Sequence, residues 1–198
     1  MLNSQYLNMR DASADDAQPV INWEEACTYE YFLKNRYLVP RFSYNGTQYE
    51  AICNNGFIKL YIPKMRAYWI VQNEFGHQLR DWKFHVSVAH EDVARAWNIL
   101  ARMFVESRCR GCMKVSYLKE SQTPRGREIT IYIFKFEEEY EESQLAIEYG
   151  LSLAEEHSED FWVSMFYRIE AAMAENNIKA NGLAYGDLGL GSYVSLRN

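Results

Sequence analysis

The fold class of this chain follows first from residues 82–90, Trp-Lys-Phe-His-Val-Ser-Val-Ala-His, in which apolar and polar side chains alternate. A period of two places successive side chains on opposite faces of a β-strand. One face of this strand is therefore apolar, and the other carries Lys83, His85 and Ser87. Residues 91–107 then change to the helical period with a single apolar stripe. A half-polar strand followed by an amphipathic helix favours an antiparallel sheet covered by helices on one side.

Hairpin, strand and helix signals extend this unit in both directions. Asn45-Gly46 and Asn55-Gly56 each separate runs of β-branched and aromatic residues, which predicts a meander over 41–62. The other predicted elements are helices over 23–34, 139–156 and 159–176 and strands over 68–71, 112–118 and 128–136. The chain is thus predicted to be α+β, with a largely antiparallel twisted sheet and helices packed on one side.

The length of 198 residues suits one domain, and nothing in the chain resembles a linker. Residues 1–20 are polar and are predicted to be a flexible N-terminal arm, which leaves 21–198 as the domain. The stretch 182–191 is rich in glycine and is predicted to be a loop that leads to the terminal residues 192–198. It lacks the Lys-Ser/Thr element and the following helix of a phosphate-binding loop.

The composition limits the partners of the protein. Hydrophobic residues make up 48% and charged residues 24% of the chain, which is typical of a soluble globular protein. The net charge of −6 argues against broad binding to nucleic acid. No apolar run approaches the roughly 20 residues that span a bilayer, and the N-terminus has no Sec signal. We therefore expect no membrane partner, and a cytoplasmic location or secretion into a host cell without a cleavable signal.

Four cysteines raise the question of a metal or redox site, because Cys109 and Cys112 form a C-x-x-C pair. A zinc site needs a second pair of ligands, and the sequence has none at suitable spacing. We interpret the cysteines as reduced thiols and expect neither a metal nor another cofactor.

Cationic and hydroxyl-bearing side chains recur on the polar faces of three predicted strands. Lys83 and His85 share one face of the first, while Lys114 and Tyr132 lie on the polar faces of the other two. If these faces coincide, one cleft contains two lysines, an imidazole and a phenol. A half-exposed antiparallel sheet shows the same alternation when its polar face is only solvated, and the pattern alone leaves that interpretation open.

Several of these segments together resemble the bacterial phosphothreonine lyase family. This family comprises type III effectors that inactivate host MAP kinases, and its relatives include the lyase domains of lanthipeptide synthetases. The similar segments keep the same order over about 82–198, and residues 1–81 show no clear match. They are Lys83-Phe84-His85-Val86-Ser87-Val88 with the following helix, Met113-Lys114-Val115-Ser116, Thr130-Ile131-Tyr132-Ile133, and Tyr193-Val194-Ser195-Leu196-Arg197-Asn198.

The resemblance implies a metal-independent phospholyase that removes phosphate from phosphothreonine or phosphoserine by β-elimination. In that reaction Lys114 corresponds to the general base that takes the α-proton, and His85 to the general acid that protonates the leaving phosphate. Lys83, Tyr132 and Arg197 correspond to residues that hold the phosphate or assist the base. Positive charges near a lysine favour its neutral form, and we expect Lys83 and Arg197 to act on Lys114 in this way.

The sequence departs from the family pattern at two phosphate-binding positions. A family arginine upstream of the tyrosine strand would fall near Gln122, with Arg125 or Arg127 as shifted candidates. A family lysine two residues after the tyrosine is replaced by Phe134, with Lys135 one step away. We therefore keep Arg125, Arg127 and Lys135 as candidate phosphate ligands.

The substrate implied by the resemblance is a phosphorylated protein or peptide. The MAP kinase effectors use a basic, hydrophobic docking peptide near the N-terminus, whereas the first twenty residues here contain Arg10 against three aspartates. That composition does not favour a MAP kinase, and a phosphorylated peptide in a lanthipeptide-like pathway is at least as plausible.

Two other functions fit parts of the sequence. A two-histidine phosphoesterase needs two His-x-Ser/Thr motifs on strands. His85-Val86-Ser87 would be the first, but the downstream candidate, His157-Ser158-Glu159, lies at a predicted helix junction rather than on a strand. A non-catalytic phosphopeptide-binding module would keep the cations of the same fold without turnover. Binding needs cations but not a base paired with an acid, so Lys114 together with His85 favours the enzyme.

Overall fold

A computed structural model describes residues 22–37, 39–54, 56–62, 82–109, 111–118, 122–123, 125–133 and 157–197. The helices are α1 (Trp23–Ala26), α2 (Tyr29–Lys34), α3 (Val93–Glu106), which a 3-10 turn at His90–Asp92 precedes, and α4 (Glu159–Glu175). The strands are β1 (Arg41–Tyr44), β2 (Thr47–Asn54), β3 (Phe57–Tyr61), β4 (Trp82–Val86), β5 (Cys112–Ser116), β6 (Ile129–Ile133), β7 (Leu188–Gly189) and β8 (Val194–Arg197).

Within the described ranges, eight strands form one open antiparallel sheet in the order β1-β2-β3-β5-β6-β4-β8-β7. The predicted meander over 41–62 is present as β1, β2 and β3. Asn45 and Gly46 both have positive φ, which a tight two-residue hairpin turn requires. The last strand of the meander, β3, pairs with β5, although about fifty residues separate the two strands in the sequence.

The apolar face of the sheet packs against helices, as predicted for an α+β chain. Trp97 of α3 is fully buried, and its indole N–H donates to the carbonyl of Cys27, which ties the N-terminal helices to α3. On α4, Trp162 meets Phe84 of β4 edge to face at 6.2 Å between ring centroids. Burial of such large apolar side chains is the main favourable term in folding. No described helix is long and apolar enough to cross a membrane.

Three elements differ from their predictions. The helix predicted over 23–34 is two short helices, because the Thr28 hydroxyl accepts from the backbone N–H of Tyr31 and starts α2 anew. The tail predicted as a loop and terminal residues contains two strands, of which β8 pairs with β4 and enters the sheet. Strand β4 is shorter than its alternating sequence and ends at Val86, although the backbone N–H of Ser87 still bonds to Tyr193.

Several predictions concern residues outside the described ranges. They are the flexible arm over 1–20, the strand over 68–71, the helix over 139–156, and the positions of Phe134 and Lys135. The division into an arm and one domain therefore stays a prediction.

Candidate active site

The register of the central strands brings the predicted polar side chains to one face of the sheet. Lys114 of β5 lies opposite Thr130 of β6, and Thr130 lies opposite His85 of β4. One row further along, Tyr132 lies opposite Lys83, and Lys83 lies opposite Arg197 of β8. Five of the eight site residues proposed from the sequence, Lys83, His85, Lys114, Tyr132 and Arg197, therefore share one face, which we call the polar face.

The middle of the polar face is buried rather than exposed to solvent. His85, Ser87 and Thr130 are only 4%, 0% and 3% exposed. Polar side chains are rarely buried this deeply unless other groups satisfy their hydrogen bonds. The interpretation of a merely solvated polar face is therefore wrong for these three residues, and the part of the chain that covers them belongs to the site.

Asp187 is the acidic residue that covers His85. Its side chain is completely buried, and its Oδ2 lies 2.5 Å from Nδ1 of His85 and accepts a hydrogen bond of 3.0 Å from the Ser195 hydroxyl. A carboxylate against Nδ1 holds the imidazole in the tautomer that has its proton there. Nε2 is then the nitrogen that can exchange a proton with a ligand.

Two arginines approach the other oxygen of the same carboxylate. Arg127 Nη2 and Arg197 Nη1 lie 3.6 Å and 3.7 Å from Oδ1 of Asp187, which is buried and makes no hydrogen bond. The two guanidinium groups are partly exposed, at 31% and 42%. Asp187 thus contacts a histidine and lies beside two arginines, and it is a site residue that was not predicted from the sequence. One signal was available, since Asp187 is the only acidic residue in 176–198.

The loop that bears Asp187 is fastened to the polar face by its backbone. The Ser87 hydroxyl donates to the Gly182 carbonyl, Arg127 donates to the Tyr185 carbonyl, and Arg125 donates to the Asn181 carbonyl. These contacts explain why Ser87 is buried, and they show that the glycine-rich stretch forms a wall of the site.

Gly126 allows the closest approach between this loop and the turn before β6, and we predict that Gly126→Ala destabilises the protein. A Cβ at Gly126 would collide with the backbone N of Ala184 and lie 2.7 Å from its Cα, at a φ of +81°. We expect a loss of roughly 2–4 kcal/mol in the free energy of unfolding, from left-handed strain plus overpacking. Urea denaturation measures the loss.

Gly46 provides a matched control for that substitution. Its φ is also +81°, but a Cβ there meets nothing within 4 Å, so Gly46→Ala should cost only the backbone term of roughly 1–2 kcal/mol. Equal losses for both variants would show that the loop does not press against Gly126.

Lys114 lies between two aromatic rings on the polar face. Its Nζ is 4.8 Å from the ring centroid of Phe57 and 5.3 Å from that of Tyr132, and Lys83 Nζ is 5.5 Å from the second ring. Burial lowers the pKa of Lys114 from its ordinary value, and the positive charges of Lys59 and Lys83 lower it further. A lysine with a lowered pKa is available as a base.

The charges that act on Lys114 differ in part from the expected ones. Lys83 acts as expected, but the stronger charge is Lys59 of β3, directly opposite Lys114. Arg197 instead lies beside Asp187. Lys59 was not predicted as a site residue, because the resemblance begins only at residue 82, although the alternation of β3 already places Lys59 on a polar face.

His85 is the second titratable group in the site with an altered pKa. Burial lowers the pKa of His85, the hydrogen bond and charge of Asp187 oppose that effect, and the charges of Arg127 and Lys83 lower the pKa further. A phosphate dianion bound among these cations would reverse their effect and favour the imidazolium. The histidine is therefore set to gain its proton with an anionic ligand.

The remaining candidate residues lie elsewhere or outside the described ranges. Arg125 lines a polar cavity of about 290 Å³ with His90, Thr123, Glu128 and Asn181. Arg125 is not part of the cluster around Asp187, whereas Arg127 is. Lys135 lies outside the described ranges. Of the two shifted arginine candidates, Arg127 is the one beside the buried carboxylate.

His157, the second histidine of the phosphoesterase interpretation, lies away from His85. His157 stacks on Phe161 at 3.7 Å and meets Trp162 edge to face, and Trp162 in turn packs on Phe84. These contacts belong to the helical side of the sheet. The geometry therefore argues against the two-histidine phosphoesterase.

The cysteine pair is buried, and in the described part of the chain neither thiol is part of a metal site. Cys109 and Cys112 are free and fully buried, and burial raises the pKa of both thiols, that of Cys112 to about 12. Among the described residues, no group of three or more His, Cys, Asp or Glu side chains is placed to hold a metal ion.

Comparison with solved structures identifies the fold. The phosphothreonine lyase SpvC, an effector protein from Salmonella, matches with a TM-score of 0.56 and 18% identity, over 99% of this chain and 86% of SpvC. OspF from Shigella flexneri, a type III effector and phosphothreonine lyase, gives 0.51 and 18% over 76% of this chain and 69% of OspF. The phosphothreonine lyase effector VirA of Chromobacterium violaceum gives 0.51 and 16% over 81% and 74%. No protein-family model and no curated protein matches the sequence.

The chain therefore has the fold of the phosphothreonine lyases, and the resemblance stated from its sequence is confirmed at the level of the fold. The likeness to SpvC also extends beyond residues 82–198, where the sequence resemblance was visible. At 16–18% identity these matches define the architecture, and the activity has to be argued from the site.

Proposed function

We propose that this protein is a phospholyase that removes phosphate from phosphothreonine or phosphoserine in a protein or peptide by β-elimination, leaving dehydrobutyrine or dehydroalanine. The observation that supports this most directly is the pairing, on one polar face, of Lys114 with a lowered pKa and His85 held by a buried aspartate. The cations around these two residues, and the fold shared with the phosphothreonine lyases OspF and SpvC, support the same reaction.

Lys114 is the base in this proposal. Its neutral Nζ takes the α-proton of the phosphorylated residue, and the electrons of the Cα–H bond become the new Cα=Cβ double bond. Lys114 and His85 flank Thr130 from two sides, two strand spacings or roughly 10 Å apart at their Cα atoms. That separation suits groups that act on opposite ends of one Cα–Cβ–O unit between them.

His85 is the acid. As the Cβ–O bond breaks, Nε2 of the imidazolium donates its proton to the departing phosphate, and Asp187 stabilises the ring orientation throughout. This explains why a buried carboxylate is held against Nδ1, since proton donation requires a fixed ring and a favoured imidazolium.

The phosphate is held by the cations around these two residues. Lys83, Arg127 and Arg197 supply positive charge, the guanidinium groups can bind two phosphate oxygens each, and the Tyr132 hydroxyl is an additional donor. Both arginines lie only 3.6–3.7 Å from Asp187 and remain partly exposed, so they can turn toward a phosphate. Arg125 and Lys135 remain candidates for contacts to a longer substrate.

The proposed partner is a phosphorylated protein or peptide, either a host protein reached by secretion or a precursor peptide of a lanthipeptide-like pathway. SpvC and OspF are described as effectors, which supports the first alternative. The acidic balance of the first twenty residues argues against the docking groove of a MAP kinase. We propose no nucleic acid and no membrane as partner.

The reaction needs no activated water, so we predict that chelation leaves the activity unchanged. The purified protein is incubated with a phosphothreonine peptide, with and without EDTA, while released phosphate and ultraviolet absorption of the conjugated alkene are followed together. Both signals should rise equally in the two samples. Phosphate release that stops on chelation and returns with added metal would indicate a phosphatase. Peptide binding without any release would favour the non-catalytic module.

A further inference from the structure

Lys59 lies directly opposite Lys114 in the sheet. The register of β3 against β5 pairs the two lysines, and Phe57 and Tyr61 lie one row to either side of Lys59 on the same polar face. Like charges directly opposite one another on neighbouring strands destabilise a sheet. The pairing therefore places the positive charge of Lys59 beside Lys114, where it disfavours a proton on the Lys114 amine.

The groups that face Lys114 from the surrounding strands are mainly cationic or neutral. Strand β3 contributes Lys59, β4 contributes Lys83 and His85, and β6 contributes the Tyr132 phenol. On its own strand the neighbour is Cys112, whose thiol is buried. Three described carboxylates lie at this face, and each has another partner. Asp187 contacts His85, and Glu50 accepts from Arg41 at 2.8 Å. Glu128 accepts from the backbone N–H of Gly126 and from the side-chain amide of Asn181.

Lys59 is the larger of the two cationic influences on Lys114, ahead of Lys83. The geometry agrees, because Lys59 is the direct cross-strand neighbour, whereas Lys83 is two strands away and one row along. The phenyl ring of Phe57, on the same strand as Lys59, also lies against the Lys114 ammonium group. Strand β3 therefore supplies both a charge and an apolar wall to the same side chain.

We propose that Lys59 is a positioning residue of this site, whose ammonium group repels a proton on Lys114 and so keeps more of Lys114 in the neutral form that acts as a base. The proposal rests on the proposed function in one respect, that Lys114 is the base. The charge coupling between the two lysines does not depend on any activity.

The coupling is tested directly by titrating Lys114. The folded protein is labelled briefly with acetic anhydride over a range of pH, and the labelled fraction of Lys114 is measured by peptide mass spectrometry. Lys59→Met should move the midpoint of Lys114 labelling to higher pH, and Lys59→Arg, which keeps the charge, should leave it near that of the wild type. Lys34→Met is the matched control, because Lys34 is exposed on α2, on the helical side of the sheet.

A midpoint for Lys59→Met that equals the wild-type value would overturn the proposal. Each variant is first checked by urea denaturation, so that a change in labelling is not caused by unfolding. Lys59→Gln provides a second neutral replacement.

The kinetic consequence separates this role from substrate binding. For Lys59→Met, kcat/KM near neutral pH should fall about two- to fivefold, the effect of one like-charge cross-strand pair, and the deficit should close above the pH at which Lys114 titrates. A rise in KM of equal size at every pH, with an unchanged Lys114 midpoint, would mean that Lys59 contacts the substrate and would overturn the proposal. If the wild type has no lyase activity, the proposed function fails, while the labelling still decides the coupling.

Discussion

Replacement of Lys114 by alanine is expected to abolish β-elimination while phosphopeptide binding stays within roughly tenfold of the wild type. A base acts on the α-proton in the transition state, so its loss lowers kcat far more than it weakens binding. The side chain lies on the polar face between Phe57 and Tyr132, with its pKa lowered by burial and by neighbouring lysines. Single-turnover kinetics measures the rate, and fluorescence anisotropy of a labelled phosphopeptide measures binding.

Lys114→Arg sharpens this experiment. A guanidinium keeps the positive charge but cannot be deprotonated in a protein, so the arginine variant should be as inactive as the alanine variant. If Lys114 only held the phosphate, arginine would replace it well. Lys34→Met, exposed on α2, serves as the control for a change of lysine that touches nothing in the site. Wild-type turnover by Lys114→Ala would contradict the assignment of the base.

The second large effect is expected from His85→Asn, which should lower the rate by roughly 10²–10⁴, the usual contribution of one general acid. Asparagine keeps a similar shape and a hydrogen-bond donor but cannot deliver a proton to the departing phosphate. A substrate with a better leaving group needs less protonation and should recover much of the loss. Rates on the two substrates, for wild type and variant, make the comparison.

The pH dependence follows from the same assignment. Activity requires protonated His85 together with neutral Lys114, so kcat/KM should follow a bell whose limbs belong to the coupled pair. Burial lowers both pKa values in the free protein, which favours the required form of Lys114 and disfavours that of His85 until an anion binds. His85→Asn should leave a single limb. If His85→Asn and the wild type act on the native peptide at equal rates, His85 takes no part in the mechanism. If the variant is slower by the same factor on the native peptide and on the substrate with the better leaving group, His85 is a phosphate ligand and not the acid.

The central strands were predictable because their information is local. Alternation of apolar and polar residues in β4, β5 and β6 assigns each side chain to a face without knowledge of the strand order. The hairpin at Asn45-Gly46 is predictable for the same reason, since positive φ at two adjacent positions demands those residue types. The sheet and its polar face therefore follow from short-range patterns.

The features that escaped prediction depend on distant parts of the chain. Strand β8 is four residues long and follows a glycine-rich stretch, and it becomes a strand because β4 offers it an edge. Asp187 is an ordinary loop residue until that loop is bound over His85. Lys59 meets Lys114 only because the meander turns β3 toward β5. Each is a tertiary contact that no local pattern encodes.

The most direct test of the central claim is the mass of the product formed from a phosphothreonine peptide. β-Elimination removes the elements of phosphoric acid and leaves an alkene, whereas hydrolysis returns the free hydroxyl, so the two products differ by one molecule of water. We predict that the wild-type protein forms the lighter product, that the fragment spectrum locates dehydrobutyrine at the former phosphothreonine, and that Lys114→Ala forms none. A product with the mass of the free threonine peptide, or an unchanged phosphopeptide after prolonged incubation, would contradict the account.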